Sequence, residues 1–297
     1  MTNNLPVVLA AVLLLFGCSA SSTEDLADPP ATYDAFSAPV HVQINGYDGD
    51  AMEPFLSRDG RFLFFNNRND PSINTDLYVA ERVDSVTFDF LGPVDGANTP
   101  ALEGVPTLDT GGTLYFVSTR TYDETYSTLY RGRFSEGSVS GVELVPGVSR
   151  QEPGIVNFDV EVSPDGSTLY FVDARFGDDG PEVADLVIAR RTADGFERAS
   201  NTDALLRYIN TDALEYAASI SSDGREMFFT RVRSITSGDS PAIYRTSRDE
   251  TGVPFDPPQR VSAMDGFVEG PTFSPDDRAV FYHKRENDRF VLYRVSR

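Results

Sequence analysis

The sequence contains no tryptophan, one cysteine, Cys18, and two histidines, His41 and His283. A single cysteine excludes an intrachain disulfide and a cysteine-based zinc cluster, and two histidines cannot build a histidine-rich metal site. The absence of tryptophan disfavours a dedicated carbohydrate-binding platform. We therefore expect no cofactor. A structural calcium ion in one of two oxygen-rich loops, Asp48-Gly49-Asp50 or Gly177-Asp178-Asp179-Gly180, is the alternative left open.

Positively charged side chains are also scarce. The chain has 25 Lys plus Arg against 46 Asp plus Glu, a formal net charge of −21, and its one lysine is Lys284. A field of this sign disfavours binding to nucleic acid and to anionic membrane surfaces. The 297 residues are 40% hydrophobic, which is enough to bury a substantial core in one large domain.

The N-terminal segment has the pattern of an export signal. Its apolar run, Leu5 to Phe16, has the length of a signal-peptide core and is too short to span a membrane. The run ends in Leu15-Phe16-Gly17-Cys18, which resembles the lipobox of bacterial lipoproteins, although Phe16 is larger than the usual residue and no Lys or Arg precedes the run. The resemblance implies lipidation of Cys18, the one expected membrane contact, in a periplasmic or outer-membrane lipoprotein. Plain secretion and a retained anchor are the alternatives.

After the predicted signal peptide, residues 1–18, the chain continues with small, acidic and proline-containing residues over 19–35. Such a composition is typical of a flexible tether. We expect the folded domain to occupy residues 36–297.

One phrase, a turn followed by a short strand with two adjacent aromatic residues and then an arginine, occurs five times. The five copies are Pro54–Arg68, Pro106–Arg120, Val162–Arg175, Ala218–Arg231 and Pro271–Arg285. Each copy is followed by a second apolar run such as Leu77-Tyr78-Val79 and by a weaker fourth segment. Four strands in about fifty residues is the period of a β-propeller blade.

These repeats predict an all-β fold, a five-bladed β-propeller of four-stranded antiparallel blades. The fifth copy lacks a fourth strand, because the chain stops at Arg297, and the strand-like segment Phe36–Ile44 has no repeat before it. We expect this N-terminal strand to complete the last blade and close the ring, which leaves no open edge. Six blades is the alternative and would require one degenerate blade.

At these residues the chain resembles the WD40-like repeat called PD40, which is found in the propeller of TolB-like periplasmic proteins and in many bacterial envelope lipoproteins. Pro54–Tyr78 meets the repeat pattern closely; Gly111-Gly112, Asp277 and Leu186-Val187 depart from it in other copies. The resemblance implies an envelope location and a binding or scaffolding role. It covers the repeats alone, since no N-terminal α/β domain is seen, and a role in the Tol system is not implied.

Two sets of charged residues recur once per repeat and are expected to meet around the channel mouth. The acidic set is Glu53, Glu103, Asp159, Glu215 and Glu269, and the arginine set is Arg68, Arg120, Arg175, Arg231 and Arg285. One interpretation is a structural ring of arginine–carboxylate pairs between blades. The other is a rim that recognises a protein or peptide partner. Tyr122, Tyr126 and Phe176 are candidates for an aromatic platform, and packing of the loops on themselves is the alternative.

The expected function is a non-enzymatic envelope module that binds a protein or peptide. One alternative is a glycoside hydrolase of the five-bladed type that uses carboxylates at the channel mouth. Another is a purely structural lipoprotein. We assign no catalytic residue: the sequence has no nucleophile elbow and no phosphate-binding glycine loop, and His283 beside the arginine set is more simply a structural histidine. A hydrolase would require unpaired carboxylates in an open pocket.

Overall fold

The computed structural model describes residues 31–69, 74–177, 180–234 and 238–297. The predicted signal peptide, Cys18 and the first part of the predicted tether lie outside these ranges. So do Asp178 and Asp179 of the second oxygen-rich loop.

The described ranges hold 22 short strands and two single-turn helices. The strands are β1 Thr32–Tyr33, β2 Val40–His41, β3 Gln43–Asn45, β4 Met52–Leu56, β5 Phe62–Asn66, β6 Leu77–Arg82, β7 Thr87–Pro93, β8 Glu103–Leu108, β9 Thr113–Ser118, β10 Leu129–Ser135, β11 Ser138–Leu144, β12 Ile155–Val162, β13 Thr168–Gly177, β14 Gly180–Arg191, β15 Phe196–Arg198, β16 Leu214–Ile220, β17 Glu226–Val232, β18 Ala242–Ser247, β19 Gln259–Val261, β20 Val268–Phe273, β21 Ala279–Glu286 and β22 Arg289–Ser296. The helices are α1 Tyr122–Thr125 and α2 Thr202–Leu205. The all-β prediction is confirmed.

The strands form five antiparallel units in chain order. Unit 1 is β4–β7, unit 2 is β8–β11, unit 3 is β12–β15, unit 4 is β16–β19, and unit 5 is β20–β22. The N-terminal strand β2 pairs with β22, with Val40 opposite Arg294 and His41 opposite Tyr293, so it supplies the fourth strand of unit 5. We call the edge where each first strand begins and each second strand ends the upper face.

The hydrogen-bonded sheets differ from the prediction of separate four-stranded blades. In the described ranges there are four sheets, because units 3 and 4 are joined through one parallel pair, Ala184 with Leu214. The physical reason is the shortness of β15, which pairs with β14 only at residues 189–191 and leaves the outer edge of β14 at Ala184 open to β16. Two outer strands were not predicted: β3 runs parallel to β7, and β1 runs parallel to β19. Strand β1 places Thr32 and Tyr33, within the predicted tether, against unit 4.

The Asp-Gly turns have a common chemistry that explains the repeated phrase. A serine hydroxyl donates to the turn aspartate, and a backbone N–H five residues later donates to that serine, as in Ser57 with Asp59 and Phe62. The equivalent serine–aspartate pairs are Ser163–Asp165, Ser221–Asp223 and Ser274–Asp276. In unit 2, Asp109 replaces the serine and accepts from the N–H of Thr113 at 2.8 Å. Local hydrogen bonds therefore fix each turn.

Hydrophobic packing runs from each unit to the next. Five clusters of buried residues are found in the described part of the chain, and each spans two units that follow one another. The fifth joins the last unit to the first, with Phe281 and Leu292 packed against Phe65 and Phe88. The paired aromatic residues of the repeats lie in these clusters, and Phe64, Phe116 and Phe229 are fully buried. No helix in the described ranges is long and apolar enough to cross a membrane.

Candidate functional site

The first strand of every unit carries a bulge at the same place. One residue there adopts a left-handed backbone conformation, and the pairing register with the second strand shifts across it. The five bulge residues are Glu53, Val105, Asp159, Ala217 and Gly270. All five line one small cavity, so the bulges bring equivalent backbone positions together at the centre of the molecule.

The five predicted acidic residues do not share one register position. Glu53 and Asp159 are bulge residues, Glu269 directly precedes the bulge residue Gly270, and Glu103 and Glu215 lie two residues before theirs. Because successive side chains of a strand point to opposite faces of the sheet, a shift of one residue moves a side chain to the other face. The set therefore divides into a pair at the rim, Glu103 and Glu215, and a trio at the centre.

The rim pair is bound by arginines of the same unit rather than between units. Glu103 lies 3.2 Å from Arg120 and Glu215 lies 2.7 Å from Arg231, and both carboxylates are fully buried. Each also accepts from the backbone N–H and hydroxyl of a threonine four residues earlier, Thr99 or Thr211. Burial raises the pKa of Glu103, while its hydrogen bonds and Arg120 oppose that shift. These contacts are structural.

The other three predicted arginines have different environments. Arg68 pairs with Asp50 at 3.0 Å, and Arg285 pairs with Asp288 at 2.8 Å, neither of which is in the predicted acidic set. Arg175 is exposed, and its guanidinium makes no ion pair or hydrogen bond with any residue that the structure describes. The prediction that both sets meet thus holds for two pairs, Glu103 with Arg120 and Glu215 with Arg231.

The central trio, Glu53, Asp159 and Glu269, meets Tyr216 and His283. The Tyr216 hydroxyl donates to Oε1 of Glu269. The backbone N–H of Glu53 donates to Nδ1 of His283 at 3.2 Å, so the neutral ring carries its proton on Nε2 and donates it to Oε2 of Glu269 at 3.1 Å. Asp159 accepts from the N–H of Ala217 at 3.0 Å. We call these five residues the central cluster.

The carboxyl group of Glu53 is the least satisfied member of the central cluster. Its side chain is 8% exposed and accepts no hydrogen bond from the described residues. His283 Nδ1 lies 4.0 Å from its Oε1, but that nitrogen is already an acceptor. Within the same ranges no arginine or lysine forms an ion pair with Glu53, Asp159 or Glu269.

Burial and like charge keep protons in the central cluster. Burial, followed by the nearby carboxylates of Asp159 and Glu269, holds the pKa of Glu53 well above its usual range. Burial and Glu269 raise the pKa of Asp159 to about 8, against one opposing hydrogen bond from Ala217. Burial and Glu269 also hold the pKa of Tyr216 well above its usual range. Glu53, Asp159 and Tyr216 are therefore largely protonated at neutral pH.

The space around the central cluster is small. A cavity of about 50 Å³ lies on its upper side, lined by Glu53, Asp159, Tyr216, Phe158 and Phe176. A second cavity of about 30 Å³ lies below. A water molecule occupies roughly 10–15 Å³ on this measure, so each cavity holds a few waters at most. A sugar ring does not fit.

The other predicted candidates take structural positions. Tyr122 is buried, donates to the carbonyl of Ile155 at 2.9 Å and packs edge-on against Tyr126, while Phe176 packs on Phe158, so the predicted rings make packing contacts. Asp50 of the first oxygen-rich loop is bound by Arg68. Among the described residues, no group of three or more His, Cys, Asp or Glu could hold a metal ion.

The sequence interpretation missed two features of this site. Tyr216 was not singled out, although it follows Glu215 directly. A shared motif, Asn-Thr-x-Ala-Leu-Glu, at 98–103 and 210–215 was also overlooked. It supplies both the threonine and the buried glutamate of each rim pair, and its asparagine bonds the backbone of Leu77 or Leu186. That motif is the signal that would have separated Glu103 and Glu215 from the central trio.

No protein-family model matches the chain, and no curated protein matches it. Several solved structures are similar to the chain. A putative exo-beta-1,3-galactanase from Bifidobacterium bifidum is 12% identical, with 88% of this chain and 93% of that chain covered and a TM-score of 0.57. The family 117 glycoside hydrolase Zg3597 of Zobellia galactanivorans is 11% identical over 88% and 90%, with a TM-score of 0.55.

A putative TolB from Agrobacterium tumefaciens is 16% identical, with 81% of this chain and 72% of that chain covered and a TM-score of 0.47. At this TM-score the similarity does not separate TolB from other propellers. The chain has a β-propeller fold. At these identities the similarity extends to the fold alone.

Proposed function

We propose that this chain is a closed five-bladed propeller that binds a protein or peptide partner at its upper face and catalyses no reaction. The observation that carries the proposal is the small size of the space at the centre. The three carboxylates not paired with arginine are buried, and the cavities beside them measure about 50 and 30 Å³.

The packing supports the five-bladed ring. The first strand of each unit contacts the first strand of the next, in the cyclic order β4, β8, β12, β16, β20 and back to β4. The hydrophobic clusters follow the same order, and β2 supplies the missing strand of unit 5. Each unit is then one blade, and the parallel pair between Ala184 and Leu214 is a contact between neighbouring blades.

The contacts of the central cluster support a non-catalytic role. A glycosidase places its sugar between two carboxyl groups that are about 5–10 Å apart, one as acid and one as base or nucleophile. Here Tyr216 and His283 occupy both oxygens of Glu269, and the cavity above Asp159, lined by Phe158 and Phe176, is small. With no space for a sugar, the acidic centre acts as part of the scaffold.

A glycoside hydrolase remains the second candidate, and one specific observation favours it. Asp159 has no arginine partner among the described residues and a pKa of about 8, which suits a general acid. A panel of nitrophenyl glycosides tests this candidate directly. Turnover that disappears in Asp159→Asn and in Glu269→Gln would replace the binding proposal.

We further propose that the protein is exported and held at the membrane by a lipid on Cys18, in the bacterial envelope. The lipobox-like sequence Leu15-Phe16-Gly17-Cys18 supports this. Fatty-acid labelling of cells should mark the wild type and leave Cys18→Ala unmarked. An unlabelled wild type, or processing that Cys18→Ala does not change, would refute the anchor.

Crosslinking in the native envelope tests the binding role. Arg175→Glu reverses an exposed charge on the upper face that has no ion-pair partner among the described residues. Arg190→Glu is the matched control, since Arg190 is also exposed and lies near the opposite edge of unit 3. We expect Arg175→Glu to lose crosslinked partners that the wild type and Arg190→Glu retain. Identical profiles for the wild type and Arg175→Glu would exclude the upper face of unit 3 as the contact. Arg120 is unsuitable for this test because its loss would leave Glu103 buried and unpaired.

A further inference from the structure

A cleft of about 340 Å³ opens at the upper face of unit 3, between β13, β14 and the segment that follows β15. We call it the unit 3 cleft. Its size falls in the range of small-ligand sites, about 300–1,000 Å³. Its charged lining residues are Arg150, Arg175 and Arg198 together with Asp173, Asp185 and Asp203. Three arginines in one cleft stand out in a chain whose net charge is −21.

The cleft forms where unit 3 departs from the rim pairs of units 2 and 4. In unit 4, Glu215 lies opposite Arg231 across the first two strands. The equivalent positions of unit 3 hold Asn157 and Asp173. The arginine of the pair is thus replaced by an acid, and Asn157 donates to Asp173 at 2.6 Å.

Asp173 takes its positive partners from outside its own strand. Arg198 donates to both of its carboxylate oxygens, and Arg150 donates through Nε to Oδ2 at 2.9 Å. Two guanidinium groups therefore bind this one carboxylate. Within the described ranges Arg150 is held through Nε alone and its two terminal nitrogens have no partner, and its side chain is 52% exposed.

Arg175 adds a second free guanidinium on the same side of β13. It lies two residues after Asp173, so both side chains leave the strand on one face. In the described ranges its guanidinium has no hydrogen-bond or ion-pair partner. Arg150 and Arg175 both line the cleft, and arginine N–H groups are the donors that bind a carboxylate most strongly.

Asp185 supplies the complementary group. It lies directly opposite Asp173 on β14 and is half-buried, and its carboxylate accepts no hydrogen bond from the residues that the structure describes. Two acids facing each other across a strand pair are destabilising. A ligand N–H placed beside Asp185 would relieve this while the ligand's anionic group meets the two arginines.

We propose that the unit 3 cleft binds a carboxylate with a neighbouring N–H group, the chemistry shared by the carboxyl end of a peptide and a free amino acid. Arg150 and Arg175 hold the carboxylate, and Asp185 accepts from the N–H. This inference rests on the proposed binding function and names the ligand chemistry of its upper face.

Ligand-observed NMR titration of the purified chain tests the proposal. The probes are acetyl-Ala-Ala with a free carboxylate, its C-terminal amide, free alanine, and acetate, each up to about 10 mM. The variants are Arg175→Gln and Asp185→Asn, with Arg190→Gln as the matched control. We expect the wild type to bind the amide roughly ten- to hundredfold more weakly than acetyl-Ala-Ala. Arg175→Gln should bind acetyl-Ala-Ala more weakly by a similar factor, and Arg190→Gln should bind it as the wild type does. Asp185→Asn should weaken the binding of acetyl-Ala-Ala and leave the binding of acetate unchanged.

The outcomes separate the two sources of the carboxylate and the two proposals. Tighter binding of acetyl-Ala-Ala than of alanine identifies a peptide end, and the reverse identifies a free amino acid. Absence of binding by any probe, or binding that Arg175→Gln leaves intact, would overturn the inference. If no probe binds but the crosslinking experiment still captures a partner, the ligand proposed for the unit 3 cleft is wrong and the binding function stands. If a probe binds but no partner is crosslinked, the proposed protein or peptide partner is wrong and the cleft stands.

Discussion

Replacing Asp159 by asparagine should make the stability of the protein less sensitive to pH. The carboxyl of Asp159 is 6% exposed, and its pKa in the folded protein is about 8. In the unfolded chain the same group ionises near about pH 4. Between these values the folded state holds a proton that the unfolded state releases, so the free energy of unfolding falls as pH rises. This is the opposite sign to that of a salt-bridged aspartate.

The expected magnitude follows from proton linkage. One proton changes the free energy of unfolding by about 1.4 kcal/mol per pH unit, so Asp159 should remove about 3 kcal/mol between pH 5 and pH 7. Asparagine keeps the shape and the acceptor for Ala217 but cannot ionise. Because Asp159 also raises the pKa of Glu53, its replacement eases the repulsion on that neighbour as well.

Urea denaturation followed by circular dichroism at pH 5, 6 and 7 measures this slope for the wild type and for Asp159→Asn. Asp194→Asn is the matched control, since Asp194 lies exposed in the turn between β14 and β15 of the same unit. The wild type and the control should lose stability in parallel, and Asp159→Asn should lose less. A slope for Asp159→Asn equal to that of the wild type would refute the reasoning.

Three further substitutions test the packing around the site. Arg231→Gln should lower the free energy of unfolding by about 3–5 kcal/mol, because it leaves Glu215 buried without its arginine. The control Arg68→Gln should lower it by about 1 kcal/mol or less in the same urea titration, because the pair of Arg68 with Asp50 is partly exposed. Gly270→Ala should lower the thermal midpoint more than the control Gly137→Ala. Both glycines have positive φ, but an added Cβ at Gly270 would lie 2.7 Å from Glu53, whereas one at Gly137 would meet nothing within 4 Å. Phe176→Ala should widen the upper cavity and cost about 2 kcal/mol, yet show no turnover of nitrophenyl glycosides, because Tyr216 and His283 still occupy Glu269.

The parts of the fold that were predictable from the sequence are those fixed by local chemistry. The turn at Ser57-Arg58-Asp59-Gly60 closes through its own hydrogen bonds, and Phe64 and Phe65 follow it as a buried strand. Each repeat carries the same information, so the count and order of strands could be inferred. The long β14 and its bridge to β16 could not, because the parallel pair joins residues about thirty positions apart that have no local signal.

The positions of the acidic side chains depend on the bulge in each first strand, which the spacing of the repeats does not reveal. A bulge in each first strand inserts one residue between the rim and the turn, so acids that align within one or two residues in sequence point to different places. Counting back from the aromatic pair placed Glu53 and Glu103 in one set. The structure places Glu53 in the central cluster and Glu103 against Arg120.

Unit 3 shows why a departure from the repeat matters more than the repeat. In units 2 and 4 the motif Asn-Thr-x-Ala-Leu-Glu binds the glutamate to a threonine and an arginine, which leaves none of these groups free. Unit 3 lacks that glutamate, and Asn157 takes its position. Asp173 must then be neutralised by Arg150 and Arg198 from neighbouring segments, while Arg175 has nothing left to bind in the described ranges. The presence of Asn157 instead of the glutamate therefore removes the structural glutamate–arginine pair and leaves the Arg175 guanidinium of the unit 3 cleft without a partner among the described residues. A ligand is the simplest partner for it.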